Sequence, residues 1–351
     1  MYRPSIALRV SRISCGVLIL LAGVNAARGQ SADAIASDQG MYCSATAQAL
    51  NRACQHESQD DYYKAKAICI NVVDDSLRAE CFSTAKSART DFLNACADKL
   101  TGRDRICAKL GEQRYDPPFA DLQFESDYRS PTSINPYIPL KVGNKWELTG
   151  AGESVKIEVL NQYKSIDGVR CVVIRDIVTK NGFVAEATDD WLAQARDGNT
   201  WYCGEEVKDY EVFDGDQPKR PEFTSNAGSF KVGRDGDKSG IFFLGKPRVG
   251  KLYREEFSVA NAEDLSLILS TNYAYGKNPT LDRGVPVKLA QLLCSSDCVV
   301  TRAINANDPG VTATKYFAPG IGNFLEVTQT GEAVQLIACN MDPRCASLPK
   351  P

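Results

Sequence analysis

Cysteine placement constrains this chain more than any other feature. Cys43, Cys54, Cys69, Cys81, Cys96 and Cys107 follow one another at steps of 11, 15, 12, 15 and 11 residues, and residues 41–101 contain neither glycine nor proline. With those breakers absent, and with Ala45, Ala47, Ala49, Leu50, Ala53, Lys64, Ala65, Lys66 and Ala67 as helix formers, the segment reads as helical. Residues eleven apart on one straight helix lie about 16 Å apart, too far for a disulfide, so bridges must join different helices. The expected module, residues 40–113, is three or four short helices cross-linked at their crossings. Asp74 or Asp75 caps one of them, and Thr101 with Asp104 makes a capping box before another. Six cysteines allow fifteen pairings, all left open.

Six more cysteines, Cys171, Cys203, Cys294, Cys298, Cys339 and Cys345, lie in the second half. The N-terminus says how to read them. Arg3, Arg9 and Arg12 precede an apolar run over residues 13–24, too short to span a bilayer, and the small residues Ala26, Ala27 and Gly29 follow. Residues 1–29 thus read as a secretory signal peptide, with cleavage after Ala26 and after Gly29 both fitting. Cys15 opens the apolar run instead of following it, which argues against a lipid-modified cysteine. Export puts the mature chain in an oxidising periplasmic or extracellular space, where twelve cysteines read as disulfides. Metal ligation asks for shorter spacing, and none of the first six cysteines is closer than eleven residues to the next.

Cleavage after Ala26 removes three of the 41 basic residues and no acidic one, taking the formal charge from -3 to -6. Such a chain has no electrostatic footprint for nucleic acid or for an anionic membrane face. No later run is apolar and long enough to cross a membrane as a helix. The hydrophobic share of 43% over 351 residues suffices for more than one packed core.

Pro117, Pro118, Pro131 and Pro136 make residues 114–136 a semi-extended linker, tied down through Phe119, Leu122 and Phe124. From Trp146 onward the period becomes two. Val155, Ile157 and Val159 alternate with Lys156 and Glu158, the pattern of a half-buried strand. Asp167-Gly168, Asn181-Gly182 and Asp197-Gly198-Asn199 mark turns of an antiparallel meander over residues 137–340. Residues 214–251 carry few strand signals and read as an excursion. Residues 261–270 read as a helical turn or a strand. Residues 341–351 form a tail.

Residues 135–146, Asn-Pro-Tyr-Ile-Pro-Leu-Lys-Val-Gly-Asn-Lys-Trp, and residues 315–327, Lys-Tyr-Phe-Ala-Pro-Gly-Ile-Gly-Asn-Phe-Leu-Glu-Val, carry a resemblance. They are similar to the opening and closing motifs of a family of bacterial secreted proteins and lipoproteins. The resemblance covers about residues 135–338. It implies a curved antiparallel sheet, a half-barrel like those of periplasmic lipoprotein carriers, with a concave apolar face for a lipid or another envelope ligand. It implies no catalytic residue. The motif residues Pro139, Gly143, Trp146, Pro319, Gly320 and Gly322 also have a scaffold reading as turn and core positions.

Catalytic constellations are scarce. His56 is the single histidine, in the helical module, so Ser-His-Asp and Cys-His arrangements are close to excluded. Asp189 and Asp190 with Glu205, Glu206, Asp209 or Glu211 offer a carboxylate pair for a hydrolase, while Trp191, Trp201 and Tyr202 beside them read as core. Asp235, Asp237 and Ser239, followed by Gly240, match the start of a calcium loop, but Lys246 stands where its bidentate acid belongs. No cofactor is implied. The sequence therefore points to an α+β chain: a disulfide-stapled helical module, then a curved antiparallel β-sheet. The expected role is an exported, non-enzymatic envelope protein binding a lipid or other apolar ligand. The alternatives are a carboxylate-dependent hydrolase and an inhibitor or adhesion module.

Overall fold

The structure, a computed structural model, describes residues 40–132 and 134–350. The signal-peptide reading of residues 1–29 lies outside them. The chain divides into two compact units, a helical one that runs to Tyr115 and also takes in Asp308–Gly310, and a β one that holds the rest from Asp116 onward.

The helical unit is not a set of three or four short helices. It is a hairpin of two long ones, α1 (Tyr42–Ile70) and α2 (Asp75–Leu110). The physical reason is the missing breaker. Nothing interrupts α2 at Thr101, whose Oγ1 donates to the Ala97 carbonyl at 3.0 Å from inside the helix, so no capping box forms there. The break falls at Asp74, whose side chain accepts the Leu77 N–H at 2.9 Å. Gly111, with φ 87°, ends α2. His56 sits exposed in mid-helix.

Three disulfides form the rungs of this hairpin: Cys43–Cys107, Cys54–Cys96 and Cys69–Cys81. Each pair is centred on Asp75, as one fixed antiparallel register demands. Steps of 11 and 15 keep the three cysteines of each helix on one face. The interior is otherwise slight: Ala47, Ala85 and Ile106, with Ser58 and Arg103, beside the buried sulfurs. At the open end Glu112 accepts from the Ser44 N–H at 2.9 Å and from its hydroxyl at 2.5 Å, which holds its carboxyl below the ordinary range.

The β unit forms one antiparallel sheet, with fifteen strands among the described residues. In chain order they are β1 (Lys145–Gly150), β2 (Glu153–Ile166), β3 (Val169–Lys180), β4 (Phe183–Gln194), β5 (Thr200–Glu211), β6 (Glu222–Ser225), β7 (Phe230–Lys231) and β8 (Lys238–Phe243). There follow β9 (Leu252–Arg254), β10 (Glu256–Phe257), β11 (Asp264–Tyr273), β12 (Cys298–Asn305), β13 (Asp308–Ala318), β14 (Gly322–Thr328) and β15 (Ala333–Cys339). A short helix α3 (Val287–Leu293) precedes β12. The spatial order is β10-β8-β5-β4-β3-β2-β1-β15-β14-β13-β12-β11-β9, with β6 and β7 also paired to β5. The strands at the two ends, β9 and β10, are consecutive in the chain, separated only by Glu255. One short segment thus pairs with β11 through its first half and with β8 through its second. This curls the expected curved antiparallel sheet into a nearly closed barrel and removes most free edge.

The segment 214–251 is not an excursion: it supplies β6, β7 and β8. Residues 261–270 resolve into β11. The expected linker is built into the β unit as a strap. Phe119 and Tyr128 are buried, Phe124 bridges Ala195, and the Glu125 N–H donates to the Gln194 carbonyl at 2.8 Å. The tail is fastened as well, through Cys339–Cys345 and through Arg344, which donates to the carbonyls of Leu293 and Pro319 at 3.0 and 2.5 Å. Strand alternation separates two cores. Val172, Ile174, Leu192 and Tyr202 face the barrel interior with Trp146 and Val159. Cys171, Val173, Trp191, Trp201 and Cys203 face outward with Phe119, around the Cys171–Cys203 bridge. Both tryptophans beside the suspected carboxylate pair are therefore core.

Candidate functional site

The barrel interior is not completely filled. A chamber of ≈ 180 Å³ remains among side chains of opposite character. At roughly 10–15 Å³ per water position it admits about a dozen waters, room for a small molecule and not for a lipid with several acyl chains. One part is apolar, formed by Ile138, Leu140, Trp146, Ile157, Val159, Ile174, Leu192, Phe242 and Phe317. The other carries Asp176, Glu186, Asp190, Glu255, Glu256 and Asp264 against a single base, Lys315, among the described residues lining it.

Register explains the acidic layer. On β3 the inward phase runs Val172, Ile174, Asp176, Val178, so Asp176 occupies a position that elsewhere holds a hydrophobe. On β4 the same phase runs Glu186, Thr188, Asp190, Leu192. Opposite Asp190 on β5 stands Glu205, turned inward because Cys203 bulges out of register between Tyr202 and Gly204. Gly204, at φ 134°, passes so close to Phe230 that a Cβ would meet its carbonyl oxygen at 2.4 Å. Glu255 and Glu256 enter at the closing seam, Asp264 at the start of β11, and Lys315 from β13.

Neutral donors orient several of these carboxylates. Thr188 Oγ1 donates to Glu186 Oε1 at 2.8 Å, Asn305 Nδ2 to Asp264 Oδ1 at 2.7 Å, and the Ser266 hydroxyl to Glu255. The Tyr202 hydroxyl lies between Asp190 and Glu205, 3.0 Å from Glu205 Oε2 and in hydrogen-bond contact with Asp190. Lys315 and Glu326 are direct cross-strand partners on β13 and β14 and so share a face. Burial alone would lower the Lys315 pKa, but Glu326, Glu255, Asp264 and Glu256 reverse this and raise it. Burial drives the Glu326 carboxyl up to about 7, against the opposing pull of Lys315 and with Glu255, Asp264 and Glu153 adding to the rise. Glu326 is 3% exposed and its Oε2 has no hydrogen-bond partner.

Of the suspected hydrolase acids, only Asp190 lines the chamber, with Glu205 behind it across Tyr202. Asp189 points the other way into a two-pronged pair with Arg175 at 2.8 Å, and Glu206 pairs with Lys208 at 3.4 Å. Alternation thus splits the run that looked contiguous in sequence. In the calcium-loop stretch, Asp237 accepts from the Lys231 N–H at 3.3 Å, Ser239 donates to the Tyr202 carbonyl at 2.7 Å, and exposed Asp235 sits beside Arg234. Among the described residues no group of three or more His, Cys, Asp or Glu side chains is placed to hold a metal ion.

Of the motif residues, Pro139, Trp146 and Gly322 line the chamber. Gly143 turns at φ 91° and its N–H donates to the Val159 carbonyl at 2.9 Å. The Gly320 N–H donates to the Pro136 carbonyl at 2.7 Å, and Gly322 packs where a Cβ would lie 3.3 Å from Pro139. Cys294 and Cys298 bridge each other locally. Sequence reasoning missed Asp176, Glu186, Glu255, Glu256, Asp264, Lys315 and Glu326. The available signal was an acid in the apolar phase of a strand, visible at Asp176.

Fold and site together define a class: a disulfide-laddered helical hairpin joined to a barrel-like antiparallel sheet with a two-faced interior chamber. Comparison with protein-family models, with curated proteins and with solved structures returns no match. Six disulfides among the described residues fit an extracellular or periplasmic protein. No helix of the described residues is long and apolar enough to cross a membrane.

Proposed function

We propose that this chain is an exported envelope protein that binds a small apolar or amphipathic ligand inside the barrel and does no chemistry on it. The observation that carries the reading is the interior chamber, walled on one side by Ile157, Ile174, Leu192 and Phe317. A nearly closed antiparallel sheet with a lined cavity is the architecture in which binding sites of small barrels are built. The resemblance to bacterial secreted proteins and lipoproteins supports the same role. The chamber's size narrows it to a ligand far smaller than a multi-chain lipid. Native mass spectrometry of protein purified from the envelope of its own host tests this. A bound small molecule released on unfolding is expected; protein that arrives empty and takes up no small amphiphile on titration contradicts the reading.

A second reading, an interaction module, is favoured by the tip of the helical hairpin. Ile68, Ile70, Val73 and Leu77, all close to the turn in sequence, are 68%, 65%, 94% and 58% exposed, and Ile68 and Leu77 line one shallow surface hollow. Monomeric surfaces seldom gather apolar side chains in this way without a partner. A photo-crosslinking residue placed at Val73 should give a discrete adduct in intact cells, and absence of any adduct contradicts this reading.

A further inference from the structure

We propose that the Cys69–Cys81 bridge at the tip of the helical hairpin is a site of thiol–disulfide exchange, and that its opening by a dithiol releases the tip while the rest of the hairpin stays folded. Access sets this rung apart. Cys81 is partly exposed, and with Cys69 it lines the surface hollow that Ile68 and Leu77 also line. A thiolate can therefore approach the Cys81 sulfur from outside. Both residues of the middle rung, Cys54–Cys96, are buried. Cys43 is partly exposed at the open end, but there the Tyr42 N–H donates to the Glu112 carbonyl at 3.0 Å and Ser44 bonds the Glu112 carboxylate, so more than a sulfur bridge closes that end. Exposed bridges exchange readily and buried ones resist.

Packing gives the exchange its consequence. From residue 59 to residue 84 Cys69 is the one buried residue, so little besides this bridge packs α1 onto α2 over that stretch. The Arg89 guanidinium lies over the Tyr62 ring, 5.1 Å from its centroid, and bounds the stretch on its inner side. The turn has bonds of its own, from the Leu77 N–H to Asp74 and from Arg78 to the Val72 and Val73 carbonyls, but these stay within residues 72–78 and do not join the helices further along. The rungs span sequence separations of 64, 42 and 12, and the shortest loop restrains the unfolded chain least, so the other two hold the hairpin once this one opens. In the exchange one thiolate of the dithiol attacks Cys81 Sγ, the Cys69–Cys81 bond breaks, and Cys69 leaves as a thiolate that takes up a proton. The second thiol then closes on the mixed disulfide and frees Cys81. Two electrons and two protons pass to the bridge, and the dithiol departs as its own disulfide.

The test is titration of the whole native protein with dithiothreitol, followed by alkylation with iodoacetamide and peptide mapping. Cys69 and Cys81 are expected to be alkylated at a dithiothreitol concentration at least about ten-fold below the one that opens either other hairpin rung. Hydrogen exchange at that concentration should be at least about ten-fold faster for amides of residues 65–84, with amides of residues 46–58 and 89–106 unchanged. The double variant Cys69→Ser, Cys81→Ser should show the same fast tip with no reductant present. Opening of Cys54–Cys96 or Cys43–Cys107 before the tip rung, or together with it, overturns the exchange site. An unchanged tip after selective opening, or loss of protection along the whole hairpin in the double variant, overturns the release.

Discussion

The indole Nε1 of Trp146 donates a hydrogen bond of 2.6 Å to the backbone carbonyl of Ile321, 175 residues along the chain. This bond pins the opening motif of the β unit to its closing motif. Gly322 lies against it, at φ 93°, with Pro139 Cδ, the Tyr137 carbonyl and the indole nitrogen around the place a Cβ would take. The two motifs are one joint, and they frame the chamber that Trp146, Pro139 and Gly322 line.

Trp146→Phe keeps an aromatic side chain, smaller than the indole, and removes the donor to a buried carbonyl. The expected loss is about 1–3 kcal/mol. Gly322→Ala adds a Cβ in a left-handed conformation at a crowded position, with a loss of about 1–2 kcal/mol. Chemical denaturation monitored on the β unit reads both; unchanged midpoints in both variants contradict the joint.

The disulfide ladder makes a separate prediction. Among the described residues the hairpin buries one large aliphatic side chain, Ile106, beside alanine, cysteine and a few polar groups, so its helices lean on the rungs. Removing the middle rung with Cys54→Ala and Cys96→Ala should lower stability by about 2–4 kcal/mol and lower the melting temperature of the helical circular-dichroism signal. Peptide mapping of unreduced protein should return Cys43–Cys107, Cys54–Cys96 and Cys69–Cys81; any other pairing of these six contradicts the hairpin.

Tyr128 tests whether residues 114–136 belong to the β unit. Its hydroxyl oxygen accepts the Gln194 N–H at 2.7 Å in a fully buried setting. Tyr128→Phe leaves that N–H unsatisfied, at a cost of about 1–3 kcal/mol. A neutral substitution means the segment is a loose linker after all.

Glu326 predicts a pH dependence. It is faced by Lys315 from β13, by Glu255 at the seam, by Asp264 from β11, and by Glu153 from β2. Its folded carboxyl, near 7, sits above the ordinary 4.5, so the folded chain holds the proton more tightly than the unfolded one. This group favours folding most below pH 4.5, and its contribution falls away as pH rises through 7, by at most about 1.4 kcal/mol per pH unit. Glu125 acts in the opposite sense. Partial burial raises its carboxyl, but the hydroxyl and N–H of Thr132 and the N–H groups of Ser126 and Asp127 outweigh this and bring it to about 2. Its contribution is complete above 4.5 and lost as pH falls toward 2. Denaturant titrations across pH should show Glu326→Gln flattening the decline between 4.5 and 7; an unaltered profile contradicts the assignment.

Local chemistry made much of the β unit readable. Asp167-Gly168 and Asn181-Gly182 turn with positive φ at both positions, as their side chains allow, and Val155, Ile157 and Val159 set the inward phase of β2. The helical hairpin was half readable. The absence of breakers implied continuous helix, and the symmetric spacing of Cys43 to Cys107 implied one register, yet neither implication reaches the pairing unless the chain turns only once. The chamber was barely readable, because its acids come from β3, β4, β11 and the seam at Glu255 and meet only after closure. That closure rests on β9 and β10, three and two residues long, whose pairing is decided by tertiary contacts and leaves no period in the sequence. The bulge at Cys203, which turns Glu205 inward, is equally silent.

The most direct measurement of the central claim, that the chamber holds a ligand, is calorimetric titration of a short amphiphile into wild-type protein and into Ile157→Phe. Ile157 lines the chamber and is only partly buried, so the larger ring can occupy the open space and leave the core packing intact. Binding at one site in the wild type, lost in Ile157→Phe with its melting temperature unchanged or raised, is the expected result. Equal binding by both proteins would place the ligand elsewhere and contradict the account.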